Sequence, residues 1–194
     1  MSGDQGNDWV WYGDRVCVDF INTRRDRWSG EGRELLREPE DLVAWFAAAG
    51  IGGSCRAVDG AVLAEAVELR EAIDAGVRAV VAGDPFPASA RDVLNVWLTR
   101  AAERPARLEI RDGVPELRPG VPPVDGRGAL TRIAVDAAEV FGGDLRERLR
   151  ICGGERCGAR FLDNSAARRR RWCRMSTCGN RAKAAQHRRS AAAP

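Results

Sequence analysis

Four cysteines crowded near the C-terminus constrain this chain more than any other feature. Cys152 and Cys157 form one pair, fifteen residues follow, and Cys173 and Cys178 form a second pair with the same spacing. Two close pairs of thiolates supply the tetrahedral set that zinc prefers, and a full set leaves no position open for catalysis. A module this small needs such a staple to fold. We therefore predict one structural Zn²⁺; the alternative is four unrelated buried cysteines.

The residues around these cysteines predict the shape of the metal-binding segment. We expect short strands at residues 159–162 and 170–173, joined by a turn at 163–165. A helix starting at Ser176 or Thr177 would hold Cys178 in its first turn. Knuckle, hairpin and helix together predict a treble-clef zinc finger.

Charge divides the chain at a point close to the first cysteine pair. Residues 1–149 carry 19 basic and 26 acidic residues, a balance of −7, whereas residues 150–194 carry 12 basic and 2 acidic residues, a balance of +10. An acidic body followed by a basic tail is typical of proteins that bind nucleic acid through the tail. We place the domains at residues 1–149 and 150–190.

The N-terminal domain is predicted to be mixed, with helices in the majority and a small sheet, so the fold class is α+β. Helical spacing of apolar residues, with Pro, Asp or Gly at the ends, predicts helices at 39–49, 59–82, 88–103 and 129–141. In the third of these, Ser89 is the expected N-cap, and Val96 and Trp97 are expected to face inward. Alternation predicts a strand beginning in residues 13–23 and a hairpin at 106–118. Residues 24–37 are interpreted as a loop and 119–128 as a linker.

Neither a membrane span nor a secretory signal is expected. No apolar run approaches the roughly 20 residues that a spanning helix needs. The first residues lack a basic stretch followed by an apolar core. We expect a cytoplasmic protein, and a reducing cytoplasm favours metal binding over disulfides for the cysteine cluster.

From Cys178 onward the tail resembles the CGNR zinc finger. The resemblance is carried by Cys178-Gly179-Asn180-Arg181 with Lys183 and the later His-Arg-Arg, preceded by Arg160-Phe161-Leu162-Asp163 and Arg171-Trp172-Cys173. The body is similar to the ABATE domain through residues 16–23 and the helix at 41–45. The resemblance implies a bacterial stress-induced transcription regulator.

Nucleic acid, with DNA ahead of RNA, is the partner that the basic tail favours. On the terminal helix Asn and Arg side chains are suited to base edges in a major groove. The predicted contact residues are Arg168, Arg169, Arg170, Arg171, Asn180, Arg181, Lys183, Arg188 and Arg189. The alternative is that these charges only balance the zinc-bound thiolates and keep the module soluble.

The body offers a candidate ligand site but no catalytic one. Asp19, Asn22 and Thr23 could line a pocket for a small-molecule effector, although such side chains also cap turns. The single histidine, His187, lies in the basic tail, so Ser-His and Cys-His relays in the body are excluded and no enzyme is expected. Cys17 is expected to be buried rather than redox-active.

Two functions follow from these features. The first is a DNA-binding transcription regulator whose body senses a ligand or forms a homodimer. The second is a protein–protein adaptor whose zinc module binds an acidic partner instead of DNA.

Overall fold

A computed structural model describes residues 8–30, 32–51, 58–103, 105–118 and 125–191. Six α-helices account for about half of the described chain: α1 Val16–Ile21, α2 Pro39–Ala48, α3 Gly60–Ala82, α4 Ala88–Ala102, α5 Gly126–Gly142 and α6 Asn180–Ala191. Six short strands pair antiparallel in three two-stranded sheets: β1 Arg24–Arg25 with β2 Arg33–Glu34, β3 Arg107–Arg111 with β4 Val114–Arg118, and β5 Leu149–Ile151 with β6 Arg160–Leu162. In this part of the chain no helix is both long enough and apolar enough to cross a membrane. The predicted α+β class is confirmed.

Helix α3 begins and ends where the sequence indicates, whereas α5 begins at Gly126, three residues before the predicted start and inside the linker predicted at 119–128. The side chain of Asp59 accepts a hydrogen bond from the Val62 N–H at 2.9 Å and caps α3, while Gly83, at a φ of 77°, ends that helix. Asp125 caps α5 in the same way. Helix α2 starts at Pro39 behind a capping box, as its sequence predicts. These helices therefore follow from local sequence.

One core joins α1, α2, α3, α4 and α5. Its largest fully buried apolar side chains include Trp45, Phe20, Phe46, Leu69, Ile73, Leu130 and Ile133. Trp45 contacts Phe20 with ring centroids 5.0 Å apart. On α2, the buried residues Leu42, Trp45 and Phe46 recur at helical spacing.

Residues 16–21 form a helix, so the strand predicted there is wrong. Cys17 is buried, as expected, but its neighbours Val18, Asp19 and Phe20 are buried as well, which a half-buried strand would not allow. A helix of six residues that is buried on all sides has no polar face, so its sequence does not show the helical periodicity of apolar residues. The N–H groups of Val18 and Asp19 both donate to the Arg15 carbonyl, which closes the first turn.

Two smaller predictions fail on α4, and the predicted loop holds a short sheet. Pro87, not Ser89, occupies the N-cap of α4, and Val96 is 55% exposed, although Trp97 is buried. Within residues 24–37, β1 and β2 pair, and Arg70 of α3 fixes β2 through two 2.6 Å bonds to the Glu34 carboxylate. The hairpin predicted at 106–118 is confirmed as β3 and β4. Residues 119–124 of the predicted linker, like Cys55, lie outside the described residues.

The start of the basic tail packs into the same core as the body. Leu149 on β5 and Leu162 on β6 are each 1% exposed and belong to the cluster that contains α1, α3 and α5. Strand β6 was predicted to pair with residues 170–173, but it pairs with β5, and 170–173 form no strand. The predicted boundary at residue 149 therefore lies inside β5, and the treble-clef detail stays a prediction.

Candidate metal centre and nucleic-acid interface

The two cysteine pairs meet at one point beyond the β5–β6 hairpin. The Sγ atoms of Cys152, Cys157, Cys173 and Cys178 all lie within 4.8 Å of one another. Cys173 Sγ lies 3.6 Å from Cys157 Sγ and 3.7 Å from Cys178 Sγ. Four sulfurs at 2.3 Å from a central zinc ion lie about 3.8 Å apart. The donor set and its spacing therefore fit a tetrahedral metal centre.

Backbone N–H groups hold the two cysteine pairs together. Residues 152–157 form the turn between β5 and β6, and the Cys173 N–H donates to Cys152 Sγ at 3.3 Å. The Gly153 N–H donates to the Arg171 carbonyl at 3.0 Å, which ties the second pair to the first. Gly158 follows the turn at a φ of 66°, a conformation that side chains disfavour. We call residues 152–157 the knuckle, and its assignment to a treble clef stays a prediction.

Cys178 lies in a helical turn, as predicted. A π-helical turn, Met175–Gly179, leads directly into α6. A Cβ on Gly179 would lie 2.2 Å from the Met175 sulfur, so a larger residue there would displace the exposed end of the Met175 side chain. The turn therefore fixes Cys178 at the start of α6.

The thiols of Cys152, Cys157 and Cys173 shift one another's pKa. Hydrogen bonds from Cys157 and Cys173 lower the pKa of Cys152 to about 2. The hydrogen bond with Cys152 raises the pKa of Cys157 to about 12, and contacts with both neighbours raise the pKa of Cys173. Thiolates this close repel, and a divalent cation compensates that repulsion. The centre is thus suited to a cation rather than to a free nucleophile.

Most of the predicted nucleic-acid residues are on the surface. The exposed ones are Arg168, Arg169, Arg171, Asn180, Arg181, Lys183, Arg188 and Arg189. Arg168 lies 3.6 Å from the Glu147 carboxylate, and Arg189 lies 3.6 Å from that of Glu155. Both pairs are highly exposed, so they contribute little and leave the arginines available.

Arg170 differs from its three neighbours because it is turned into the protein. Its Nε donates to the Trp172 carbonyl at 2.9 Å, and an Nη2–H donates to the Cys173 carbonyl. Its guanidinium also lies 4.7 Å from the centre of the buried Phe161 ring. The structure therefore gives Arg170 a role in holding the metal loop, which the sequence run of four arginines does not indicate.

A cleft of about 200 Å³ lies between the knuckle and α6. Three arginines line it: Arg171, Arg181 and Arg189. The rest of its wall includes Cys178 and Trp172, and Arg171 stacks over the Trp172 ring at 5.0 Å. Trp172 is half-buried and packs against the cysteine cluster, so the prediction that it belongs to the small core is in keeping with its position. The cleft is a positively charged recess directly beside the metal centre.

Two of the three residues predicted as a ligand site, Asn22 and Thr23, make buried contacts within the fold. Asn22 bonds the backbone of Arg160 twice, donating to its carbonyl and accepting from its N–H, each at 2.9 Å. The Thr23 hydroxyl donates to the Phe20 carbonyl and accepts from Arg70. These contacts are all buried. Asn22 thus links α1 to β6, and Thr23 links it to α3.

Asp19 is the third of these residues and has an unusual environment. It accepts a hydrogen bond from the Gly13 N–H at 2.7 Å. Desolvation outweighs that bond and raises the pKa of Asp19 to about 6. Asp19 lines a shallow groove with Trp11, whereas Asn22 and Thr23 are not among the lining residues. The ligand role of the three residues stays a prediction.

Two buried charged residues near the start of the tail make contacts that the sequence did not predict, and the first of them joins the tail to the body. Arg160 on β6 donates to the Asp74 carboxylate of α3 at 2.6 Å and 3.1 Å, and both side chains are almost fully buried. Asp163 accepts hydrogen bonds from Ser165 and from the Arg170 N–H; burial opposes them, but they lower its pKa. The sequence feature that could have indicated these buried charges is Arg160-Phe161-Leu162-Asp163, where two charged residues flank two apolar ones.

Comparison with known families agrees with this geometry. The ABATE family model, described as "Putative stress-induced transcription regulator", matches residues 14–144, and the CGNR zinc finger model matches residues 148–191. No curated protein matches the chain. Neither family description names an enzyme. The first match spans about two thirds of the sequence, and the chain therefore belongs to the ABATE family and carries a C-terminal CGNR zinc finger.

Proposed function

We propose that this protein is a DNA-binding transcription regulator whose zinc-stabilised tail grips the phosphate backbone. The observation that carries the proposal is the cleft lined by Arg171, Arg181 and Arg189 beside the cysteine cluster. The family description and the +10 balance of residues 150–194 support it. Arginine guanidinium groups bind phosphate oxygens with two parallel N–H donors, which suits such a recess.

The metal in this proposal is a structural Zn²⁺ held by Cys152, Cys157, Cys173 and Cys178. Four thiolates complete its coordination, so it supplies no open position for chemistry. Its contribution is to join the knuckle to the first turn of α6, which sets the distance between the two walls of the cleft. The four thiolates leave a net charge of −2, which nearby arginines also offset.

Helix α6 provides the second part of the interface. Its 12 residues span about 18 Å, enough to enter a major groove. Asn180, Lys183 and His187 recur at a spacing that places them on one side of the helix, away from the cleft residues Arg181 and Ala185. In this arrangement the cleft positions the protein on phosphates, and Asn180 is available to an adenine edge.

The proposal is tested by the salt dependence of binding to duplex DNA. Fluorescence anisotropy would be measured with labelled genomic fragments between about 50 and 200 mM salt. Each phosphate contact adds about 0.9 to the slope of log K against log salt, so the triple variant Arg171→Gln, Arg181→Gln, Arg189→Gln should lose up to about 2.7. The matched control removes three charges from the exposed β3–β4 hairpin: Arg107→Gln, Arg111→Gln and Arg118→Gln. Its slope should equal that of the wild type.

The alternative adaptor function predicts a different result from the same titration. An adaptor would show negligible DNA affinity even at the lowest salt, and neither triple variant would change it. Equal losses in the cleft variant and the hairpin control would mean that only overall charge matters, and would refute the cleft as the contact site. The homodimer and the cytoplasmic location stay predictions.

A further inference from the structure

A second cavity lies mainly in the body and shares no lining residue with the cleft at the cysteine cluster. Its volume is about 760 Å³, within the roughly 300–1,000 Å³ range of small-molecule sites. The C-terminal end of α3, helix α4, the end of α5 and the first residues of β5 enclose it. Nothing in the family descriptions assigns a ligand to this place.

The wall of this cavity is apolar and aromatic. Phe86 and Phe141 meet edge to face, with ring centroids 4.9 Å apart and planes at 70°. A Cβ on Gly76 would come within 2.7–2.8 Å of both rings, so glycine at that position lets them pack against α3. Phe86 remains 37% exposed and Val81 remains 40% exposed. The rings are therefore preformed, and part of the apolar surface still faces the open cavity.

Positive charge lines the same cavity. Arg146 donates to the Phe141 carbonyl, and Arg150 donates to the Glu147 and Leu149 carbonyls. In the described part of the chain neither guanidinium has a carboxylate within ion-pair distance, and each keeps unused N–H donors.

The acidic groups at the cavity do not cancel this charge. Two carboxylates, those of Asp84 and Glu147, line the cavity together with the guanidinium groups of Arg91, Arg146 and Arg150. Three arginines against two acids leave the lining with a net charge of +1, which favours an anionic ligand.

We propose that this cavity binds an amphipathic organic anion, a molecule with an aromatic or aliphatic body and one acidic group. The body lies against Phe86, Phe141 and Leu98, and the acidic group accepts hydrogen bonds from Arg146 and Arg150. This site replaces Asp19, Asn22 and Thr23 as the ligand site of the N-terminal domain. It does not depend on DNA binding, because occupancy is measured without DNA.

The test uses two fluorescent probes that share one aromatic skeleton. 8-Anilino-1-naphthalenesulfonate carries the anionic group, and N-phenyl-1-naphthylamine lacks it. The full chain should bind the sulfonate about tenfold more tightly, which is the usual gain from charge-assisted hydrogen bonds. The double variant Arg146→Gln, Arg150→Gln should remove that preference and leave the affinity for the neutral probe unchanged. Arg169→Gln, which removes a charge from the exposed tail, is the control and should change neither affinity.

Location is tested on a single helix. Leu98→Trp fills the cavity from α4 and should weaken both probes at least tenfold, whereas Val96→Trp on the same helix is outside the cavity and should have no effect. Equal affinity for the two probes in the wild type would overturn the anionic specificity. Absence of binding, or equal effects of the two tryptophan variants, would overturn the site itself.

Discussion

Removing the Asp74 carboxylate should destabilise the protein more than any exposed charge change. Asp74 contacts Arg160 at 2.6 Å and 3.1 Å, Arg78 at 3.2 Å and Arg27 at 3.4 Å. Arg160 is 5% exposed, and burial lowers its pKa despite the neighbouring carboxylate. Without Asp74, a buried guanidinium would remain with no anion beside it.

The magnitude follows from the geometry. Opposite charges about 4 Å apart at an effective dielectric of about 20 attract with about 4 kcal/mol, and breaking a buried pair costs about 3–5 kcal/mol. With a urea m-value of about 2 kcal/mol/M, Asp74→Ala should lower the unfolding midpoint by about 2 M. Arg160→Met should cost less, because Asp74 would keep Arg27 and Arg78 as partners.

The assay is urea unfolding followed by tryptophan fluorescence and far-ultraviolet circular dichroism at saturating zinc. The control is Glu65→Ala, which removes an exposed partner of Arg127 at 2.8 Å and should move the midpoint by less than about 0.5 M. If Asp74→Ala shifts the midpoint no more than Glu65→Ala, the buried pair does not stabilise the junction. If Arg160→Met lowers the midpoint as much as Asp74→Ala does, the remaining partners Arg27 and Arg78 do not compensate the Asp74 carboxylate.

Three further results are expected. Metal analysis of the untagged protein should find one zinc ion per chain. The zinc should be lost in Cys173→Ser and kept in Cys17→Ser, because Cys17 is buried in α1. Zinc loss in both variants, or in neither, would contradict the assignment of the four cysteines as ligands. The pKa of Asp19 in the fold is about 6, above its usual 3.8, so folding takes up a proton and the stabilisation from Asp19 is complete below about pH 4 and lost as pH rises through 6. Relative to Asp19→Asn, the unfolding free energy of the wild type should therefore fall by up to about 3 kcal/mol over that pH window. Parallel pH curves for the two proteins would exclude this role of Asp19. Arg170→Ala should lower the thermal unfolding midpoint, whereas Arg169→Ala should lower only the affinity for DNA. Equal thermal midpoints for the two variants would contradict a structural role of Arg170.

Local signals account for the elements that the sequence predicts well. The helix at Gly60–Ala82 begins at an aspartate cap and ends at a left-handed glycine, and the β3–β4 hairpin turns at Asp112-Gly113. The cysteine cluster was predictable for a similar reason, because its spacing alone specifies the coordination set. These features depend on neighbours in sequence.

The features that the sequence did not predict depend on distant residues. The pairing of β6 with β5 is set by Leu162 and Leu149 entering the core of the body, and no local pattern reports that destination. Arg170 differs from Arg169 and Arg171 because it contacts Phe161. A run of four arginines in the sequence does not indicate which of them makes such a contact. Asn22 likewise acquires its role only when Arg160, 138 positions later, lies beside it.

The shared core around Leu162 limits how this zinc finger can be exchanged. A chimera that takes the tail from a relative would carry its own β5 and β6 into a cavity shaped by α1, α3 and α5 of the host. The graft would also have to satisfy the amide of Asn22 and the carboxylate of Asp74. Swaps that keep host residues 149–162 and replace only the second cysteine pair and α6 should therefore tolerate sequence divergence better than swaps made at the first cysteine.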